Sequence, residues 1–249
     1  MKATFTVALS VAAAVAVTSS ATSASAAKMP KVTDGLLATG KAAYMRECAA
    51  CHGVEGDGKG PGAHYLNPRP RDFTLGVYKL RSTPNGQVPT NQDLFRTITL
   101  GIPNSMMPSF KALSEQERWG LVAVIQRFGG IETETAKPVT VPKAPKVTAA
   151  SLASGKKLYV KLKCGTCHGP EGWGDGPSSL TLKNDAKERI YPTDLTTGIH
   201  KGGSTAEDLY TRIATGLDGS PMPSYAAEAK PNEIWDLVHY TMSLASKKK

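Results

Sequence analysis

The sequence predicts an all-α fold built from two tandem copies of one small domain. The first observation is an internal repeat: residues 40–52 resemble residues 155–168, and Met107-Pro108-Ser109-Phe110 resembles Met222-Pro223-Ser224-Tyr225. The offset of 115–116 residues is too long for a solenoid and is typical of a duplicated domain. Helix start and stop signals recur at matching positions in both copies. No alternating strand pattern of any length occurs.

The composition is that of a folded protein. With 40% hydrophobic and 20% charged residues among 249, it excludes a disordered chain and a collagen-like fibre. Aromatic residues make up only 6%, so each small core is expected to need a bulky cofactor to fill it. The formal net charge of +9 favours acidic partners. Nucleic-acid binding is not expected, because the basic residues are not interleaved with stacking aromatics.

Residues 1–26 have the pattern of a signal peptide. Lys2 supplies the positive start, Phe5–Val17 is an apolar run, and Ala24-Ser25-Ala26 is a cleavage site of the A-x-A type. The mature chain is expected to begin at Ala27 and to be exported to a bacterial periplasm, the alternative being an uncleaved anchor. No later segment is predicted to span a membrane.

Residues 27–135 form the first predicted domain, in which helices alternate with loops rich in glycine and proline. A capping box starts a helix where a Ser or Thr is followed three residues later by an acid. The signals are capping boxes at Thr90 with Asp93 and at Ser114 with Glu117, a stop at Gly101, and helical spacing of Trp119, Val122, Ile125 and Phe128.

Residues 136–148 form a predicted linker, and residues 149–249 form the second domain. The linker holds three prolines and no acid, which favours an extended, semi-stiff segment. The signals of the second domain are a capping box at Ser204 with Glu207, a stop at Gly216, a start at Pro231, and one helix face with Ile234, Trp235, Val238 and Met242.

All four cysteines fall in two copies of one short motif. They occur as Cys48-Ala49-Ala50-Cys51-His52 and Cys164-Gly165-Thr166-Cys167-His168. The pattern C-x-x-C-H is the attachment signature of c-type haem. A thioredoxin-like redox pair and a zinc site are the alternatives, but the first does not need the histidine and the second would leave one over in each motif.

A domain of this size with C-x-x-C-H near its start and Met-Pro near its end resembles the class I cytochromes c. The resemblance covers nearly the whole mature chain, and it implies two covalently bound haem c groups. In that family an aromatic residue of the first helix packs on the last helix, a position that Tyr44 and Tyr159 match. A proline after the motif lends its carbonyl to the histidine ring, a position that Pro61 and Pro177 match.

The resemblance also implies one histidine and one methionine ligand for each iron. His52 and His168 are the expected proximal ligands, and Met107 and Met222 the expected sixth ligands. Soft thioether sulfur favours ferrous iron and raises the potential. Met106 is the alternative to Met107, which we prefer because it aligns with Met222. Core methionines that only fill gaps are the other interpretation.

Several other side chains are secondary candidates. Three histidines could displace a methionine or lie at the surface, namely His64, His200 and His239. Four arginines could pair with haem propionates or with solvent, namely Arg69, Arg71, Arg81 and Arg189.

A group of lysines precedes the second motif, at Lys156, Lys157, Lys161 and Lys163. Such a group would steer acidic redox partners into short-lived complexes, although an ordinary solvated helix face is an equal alternative. The tail Lys247-Lys248-Lys249 is expected to be a solubilising end.

The predicted function is transfer of single electrons between periplasmic or membrane redox proteins, as a free carrier or as the cytochrome subunit of a respiratory oxidoreductase. The alternative is a dihaem enzyme, peroxidase-like or sulfur-oxidising, in which one haem has a labile sixth ligand. The absence of a spare cysteine and the Met-Pro sequence in both copies favour the carrier.

Overall fold

The computed structural model describes residues 28–245. The predicted signal peptide at residues 1–26 and the Lys247–Lys249 tail lie outside the described residues. Within the described range no β-strand forms, and one isolated bridge joins Lys183 to Arg189. The prediction of an all-α fold is confirmed.

Within the described residues, the first domain contains a short 3-10 helix at Ala63–Tyr65 and four α-helices: α1 (Asp34–Glu47), α2 (Ala49–His52), α3 (Asn91–Leu100) and α4 (Glu115–Gly129). Helix α1 packs along α4, and α3 also packs against α4. The two backbones of α1 and α4 nearly touch, since a Cβ on Gly40 would lie 2.1 Å from the Gly120 carbonyl oxygen. Glycine is therefore required at this crossing.

The second domain repeats this arrangement with α5 (Ala149–Lys161), α6 (Gly165–His168), α7 (Ala206–Thr215) and α8 (Pro231–Ala245). Helix α5 packs along α8, and a Cβ on Gly155 would lie 2.0 Å from the Asp236 carbonyl oxygen. The predicted start at Pro231 is confirmed. Met242 does not share the buried face predicted for it, because its side chain is 41% exposed.

The predicted aromatic packing between first and last helices is present in both domains. The Tyr44 ring lies 5.0 Å from that of Phe128, and the Tyr159 ring lies 5.4 Å from that of Tyr240. All of these rings belong to the cores or to the layer packed on them. The crossing thus has the same form in both copies, with different aromatic partners.

Three of the helix starts have a capping box of the predicted kind. Thr90 with Asp93 and Ser114 with Glu117 are confirmed. The third prediction, at Ser204, was wrong by one residue: Thr205 caps α7 and pairs with Asp208. The Ser204 hydroxyl instead accepts a hydrogen bond from the His200 amide at 3.1 Å, so it is used by the preceding loop.

The segment predicted as a linker lies against both domains. The Val139 amide donates to the Ser82 carbonyl at 2.7 Å, in the first domain. Val141 packs against the buried cluster of the second domain that contains Leu209 and Trp235. Residues 139–141 therefore contact both domains.

Candidate haem-binding cavity

Each Cys-x-x-Cys-His motif forms a single helical turn, and the glycine that follows it accepts a hydrogen bond from a tyrosine. In the first domain the turn is α2, and the buried Tyr44 hydroxyl donates to the Gly53 carbonyl at 2.8 Å. In the second it is α6, and Tyr159 donates to the Gly169 carbonyl at 2.7 Å. The tyrosine that packs on the last helix thus also fixes the end of the motif turn.

The four cysteines are free thiols, and none is bonded to another. Burial raises the pKa of the Cys48 thiol to about 12, with a contribution from Glu47, and burial raises the pKa of Cys164 to about 11. Within the described part of the chain, no group of three or more His, Cys, Asp or Glu side chains could hold a metal ion.

Both motif histidines are oriented by a backbone carbonyl. The Nδ1 atom of His52 lies 2.9 Å from the Arg71 carbonyl oxygen, and that of His168 lies 3.0 Å from the Thr193 carbonyl oxygen. A carbonyl only accepts, so the proton is on Nδ1 and the lone pair is on Nε2. Burial lowers the pKa of both imidazoles, which favours the neutral form. Each ring is therefore prepared to ligate a metal through Nε2.

The carbonyl acceptors differ from the predicted Pro61 and Pro177, and that expectation was wrong. Gly60, the residue before Pro61, packs directly against the motif turn, since a Cβ on Gly60 would lie 2.5 Å from the Ala49 carbonyl oxygen. The carbonyl that faces the histidine ring therefore comes later in the chain, at Arg71 in the first domain and at Thr193 in the second.

A second repeated sequence motif, which the 115–116-residue offset does not reveal, supplies these acceptors. Pro70-Arg71-Asp72-Phe73-Thr74 corresponds to Pro192-Thr193-Asp194-Leu195-Thr196. In each copy the aspartate Oδ1 accepts from the backbone and hydroxyl of the threonine two residues on. The spacing between the copies is here longer than 116 residues, so a comparison at constant offset does not align them.

Both motifs open onto one continuous cavity of about 1180 Å³. It is lined by both cysteine pairs, both motif histidines, and both Met107 and Met222. A single small-molecule pocket usually measures about 300–1,000 Å³. The cavity is thus larger than one such ligand requires, and its walls come from both domains.

The two predicted methionine ligands occupy matching loops. The Met107 carbonyl accepts from the Ile102 amide at 3.0 Å, and the Met222 carbonyl accepts from the Leu217 amide at 3.1 Å. Both side chains are half-buried at the cavity wall. Met106 also borders the cavity, but its side chain is 66% exposed.

The remaining histidines fall into three different environments. His64 is exposed beside Tyr65, and His239 is buried with its Nδ1 3.0 Å from the Ser151 hydroxyl. Neither borders the cavity. His200 does border it, and burial lowers its pKa.

The arginines also separate into different roles. Arg81 is fully buried and forms a two-pronged ion pair with Asp218 of the other domain, so it is a structural residue of the interface. Arg69 lies 3.7 Å from Glu188 across the same interface. Arg189 lies over the Tyr191 ring at 5.5 Å. Of the four candidates, Arg71 alone borders the cavity without an ion pair within the described residues.

The donor set suits covalently bound haem. Each half offers two free thiols, a neutral imidazole with an available Nε2 and a thioether on one wall of a largely apolar cavity. In each half these groups occupy corresponding positions around the cavity.

Comparison with known proteins identifies the family. The cytochrome c family profile matches residues 37–127 and 152–245. A similar solved structure, with a TM-score of 0.81 and 44% sequence identity, belongs to the reducing HAO-like protein complex Kustc0457/Kustc0458 of Kuenenia stuttgartiensis; the alignment covers 88% of this chain and 99% of that chain. The comparison with curated proteins finds no match. Among the residues described, no helix has the length and apolar character needed to cross a membrane. The chain belongs to the cytochrome c family, whose members bind haem covalently and transfer electrons, and it contains two such domains in tandem.

Proposed function

We propose that the protein is a periplasmic dihaem cytochrome that passes single electrons between redox proteins. The observation that carries the proposal is the presence of two matched sets of thiols, histidine and methionine around one cavity. The signal-peptide pattern at residues 1–26 supports export.

In this proposal the side chains hold and tune the haems. Cys48 with Cys51, and Cys164 with Cys167, would form the thioether bonds. His52 and His168 would ligate through Nε2. When bound, each haem would supply one reversible one-electron iron centre.

Met107 and Met222 would keep the sixth position closed. A thioether ligand raises the reduction potential, and proline after each methionine limits the freedom of its loop. The carbonyls of Arg71 and Thr193 would fix the imidazole planes, so that ligation stays constant while the charge changes.

The proposed partner is a larger redox protein, and the chain would then act as a cytochrome subunit. The similar structure from Kuenenia stuttgartiensis comes from a reducing HAO-like protein complex, which supports this role. Lys156, Lys157, Lys161 and Lys163 are all exposed around the second motif. An exposed lysine group of this kind favours an acidic docking surface on the partner.

The lysine group has its own test. Replacing the four lysines with glutamine should slow electron exchange with an acidic redox protein and flatten the salt dependence of the rate. Unchanged kinetics at low salt would remove this surface from the proposal.

The competing proposal is an enzyme with one labile sixth ligand. The neighbouring Met106, exposed at the cavity edge, would allow an exchange of ligands in the first domain. Carbon monoxide uptake by the reduced holoprotein, counted for each haem, distinguishes the two. A carrier with closed sites should bind little, whereas fast stoichiometric uptake by one haem would favour the enzyme.

A further inference from the structure

The cavity meets the domain interface at a group of cations that both domains supply. Arg71 and Lys79 come from the first domain and Lys201 from the second, and all three border the cavity. The segments that carry Lys79 and Lys201 lie side by side: the Lys79 carbonyl accepts from the Arg212 side chain of the second domain at 3.0 Å, and a Cβ on Gly202 would lie 3.5 Å from the Leu80 side chain. Arg71 reaches the same boundary, since a Cβ on Gly219 of the second domain would lie 3.3 Å from its guanidinium. The three residues define what we call the interface pocket.

The interface pocket differs from the neighbouring structural cations. Arg81, Arg96 and Arg212 are all engaged with carboxylates or carbonyls across the domain boundary. The side chains of Arg71, Lys79 and Lys201 are half-buried, yet they make no hydrogen bond or ion pair within the described range 28–245. Partly buried charge without a partner is costly, so an anionic group is expected there.

The electrostatics of the interface pocket agree with this geometry. The pKa of Lys79 is lowered to about 8, first by burial and then by the neighbouring charges of Arg71 and Lys201. The nearby carboxylates are Asp185, Glu188 and Asp72, of which Glu188 is already paired with Arg69 and Asp72 accepts hydrogen bonds from Thr74. Cations are therefore in excess over free carboxylates.

The chemistry of the expected cofactor offers the missing anions. Each haem carries two propionate carboxylates, and thioether bonds hold the vinyl positions at the cysteine pairs. A shared pocket at the domain boundary is open to the carboxylates of both haems, because one cavity connects both cysteine motifs to it.

We propose that Arg71, Lys79 and Lys201 form one cationic pocket that binds propionates of both haems and couples the two potentials electrostatically. The inference rests on the proposed dihaem function. A cation near a haem destabilises the ferric state, so its removal lowers the potential. If both haems use the pocket, a single substitution in it shifts the reduction potentials of both haems.

The test uses the full-length holoprotein, with haem counted for each chain and both midpoint potentials measured by spectroelectrochemical titration. Lys79→Gln should lower the reduction equilibrium constant of both haems by about tenfold, or about 59 mV for a one-electron couple. Lys201→Gln, from the opposite domain, should do the same. The control Lys183→Gln removes an exposed lysine of the second domain that does not border the cavity and should have little effect.

A shift confined to one haem, or no shift beyond that of the control, would overturn the shared pocket. If the glutamine variants fail to retain two haems, Lys79→Arg and Lys201→Arg should restore them, and failure of this rescue also counts against the pocket. A wild-type chain that holds fewer than two haems would refute the proposed function itself, which is a separate result.

A free anion is the other source of negative charge. Inorganic phosphate, added at constant ionic strength, should leave both wild-type potentials unchanged if haem carboxylates fill the pocket. A phosphate-dependent shift that Lys79→Gln abolishes would assign the pocket to a soluble anion and overturn the proposal.

Discussion

At the scale of single residues, the structure separates side chains that the sequence leaves equivalent. Met106 and Met107 are neighbours of the same type, but Met106 is largely exposed while Met107 lies in the loop position that matches Met222. His64, His200 and His239 likewise share a residue type and differ in surroundings. Only burial and contacts distinguish such candidates, and these depend on the path of the whole chain.

The methionine assignment predicts a difference between two neighbouring substitutions. Met107→Leu should open the first haem to carbon monoxide after reduction and remove about half of the sulfur-to-ferric charge-transfer absorption, because one of two thioether ligands is lost. Met106→Leu is the matched control and should change neither property. Absorption spectra of the purified holoproteins decide the matter, and the reverse pattern would make Met106 the ligand.

At the scale of helices, the start of α4 is tied to the end of α1 by one carboxylate. Glu117 accepts from the Ser114 amide at 2.9 Å and from Arg46 at 2.8 Å. The hydrogen bond from Arg46, followed by those from Ser114, lowers the pKa of Glu117 from 4.5 to about 2. The capping box therefore also connects the two helices whose crossing supports the motif turn.

This carboxylate predicts an acid-sensitive part of the stability. The folded pKa lies below the unfolded value, so the stabilisation is present above about pH 4.5 and is lost as the pH falls towards 2. Glu117→Gln should lower the free energy of unfolding at pH 7, and its difference from wild type should shrink below about pH 4.5 and disappear only below about pH 2. Denaturant unfolding across this range measures it. Glu134→Gln, an exposed carboxylate outside α4, should show no such convergence.

At the scale of the whole molecule, a buried ion pair joins the two domains. The Arg81 guanidinium is fully buried, and its Nε donates to Asp218 at 2.6 Å across 137 residues of sequence. Its other donors reach the Thr83 and Thr215 carbonyls and the Asn85 side chain. With this network in place, the two halves of the cavity are held in register.

Removing Asp218 should strongly destabilise the arrangement. Asp218→Ala leaves a buried guanidinium without its carboxylate, and loss of one partner of a buried pair typically costs about 3–5 kcal/mol. Glu188→Gln weakens the exposed pair with Arg69 and should cost less than about 1 kcal/mol. Denaturant unfolding of both holoproteins provides the comparison, and equal effects would show that the buried pair does not hold the interface.

The sequence by itself determined the all-α class, the duplication, the two Cys-x-x-Cys-His turns and the helix starts at Thr90 and Ser114. These features are local: a capping box or a motif turn is complete within five residues, so spacing alone reports it. The sequence also pointed to a cofactor, because the Cys-x-x-Cys-His pattern is the haem-attachment signature and aromatic residues make up only 6% of the chain.

The tertiary structure decided which carbonyls orient the histidines, which arginine joins the domains and how the cations gather at the interface. Arg71 lies 19 residues beyond His52, and Arg81 lies 137 residues from its partner. The path of the loops determines which residues form such pairs, because their partners are far apart in sequence and local conformational propensities do not bring them together. The sequence of the first domain alone does not distinguish Arg81 from an arginine that binds a haem propionate. The second domain supplies Asp218, and because Arg81 pairs with it, Arg81 does not border the cavity.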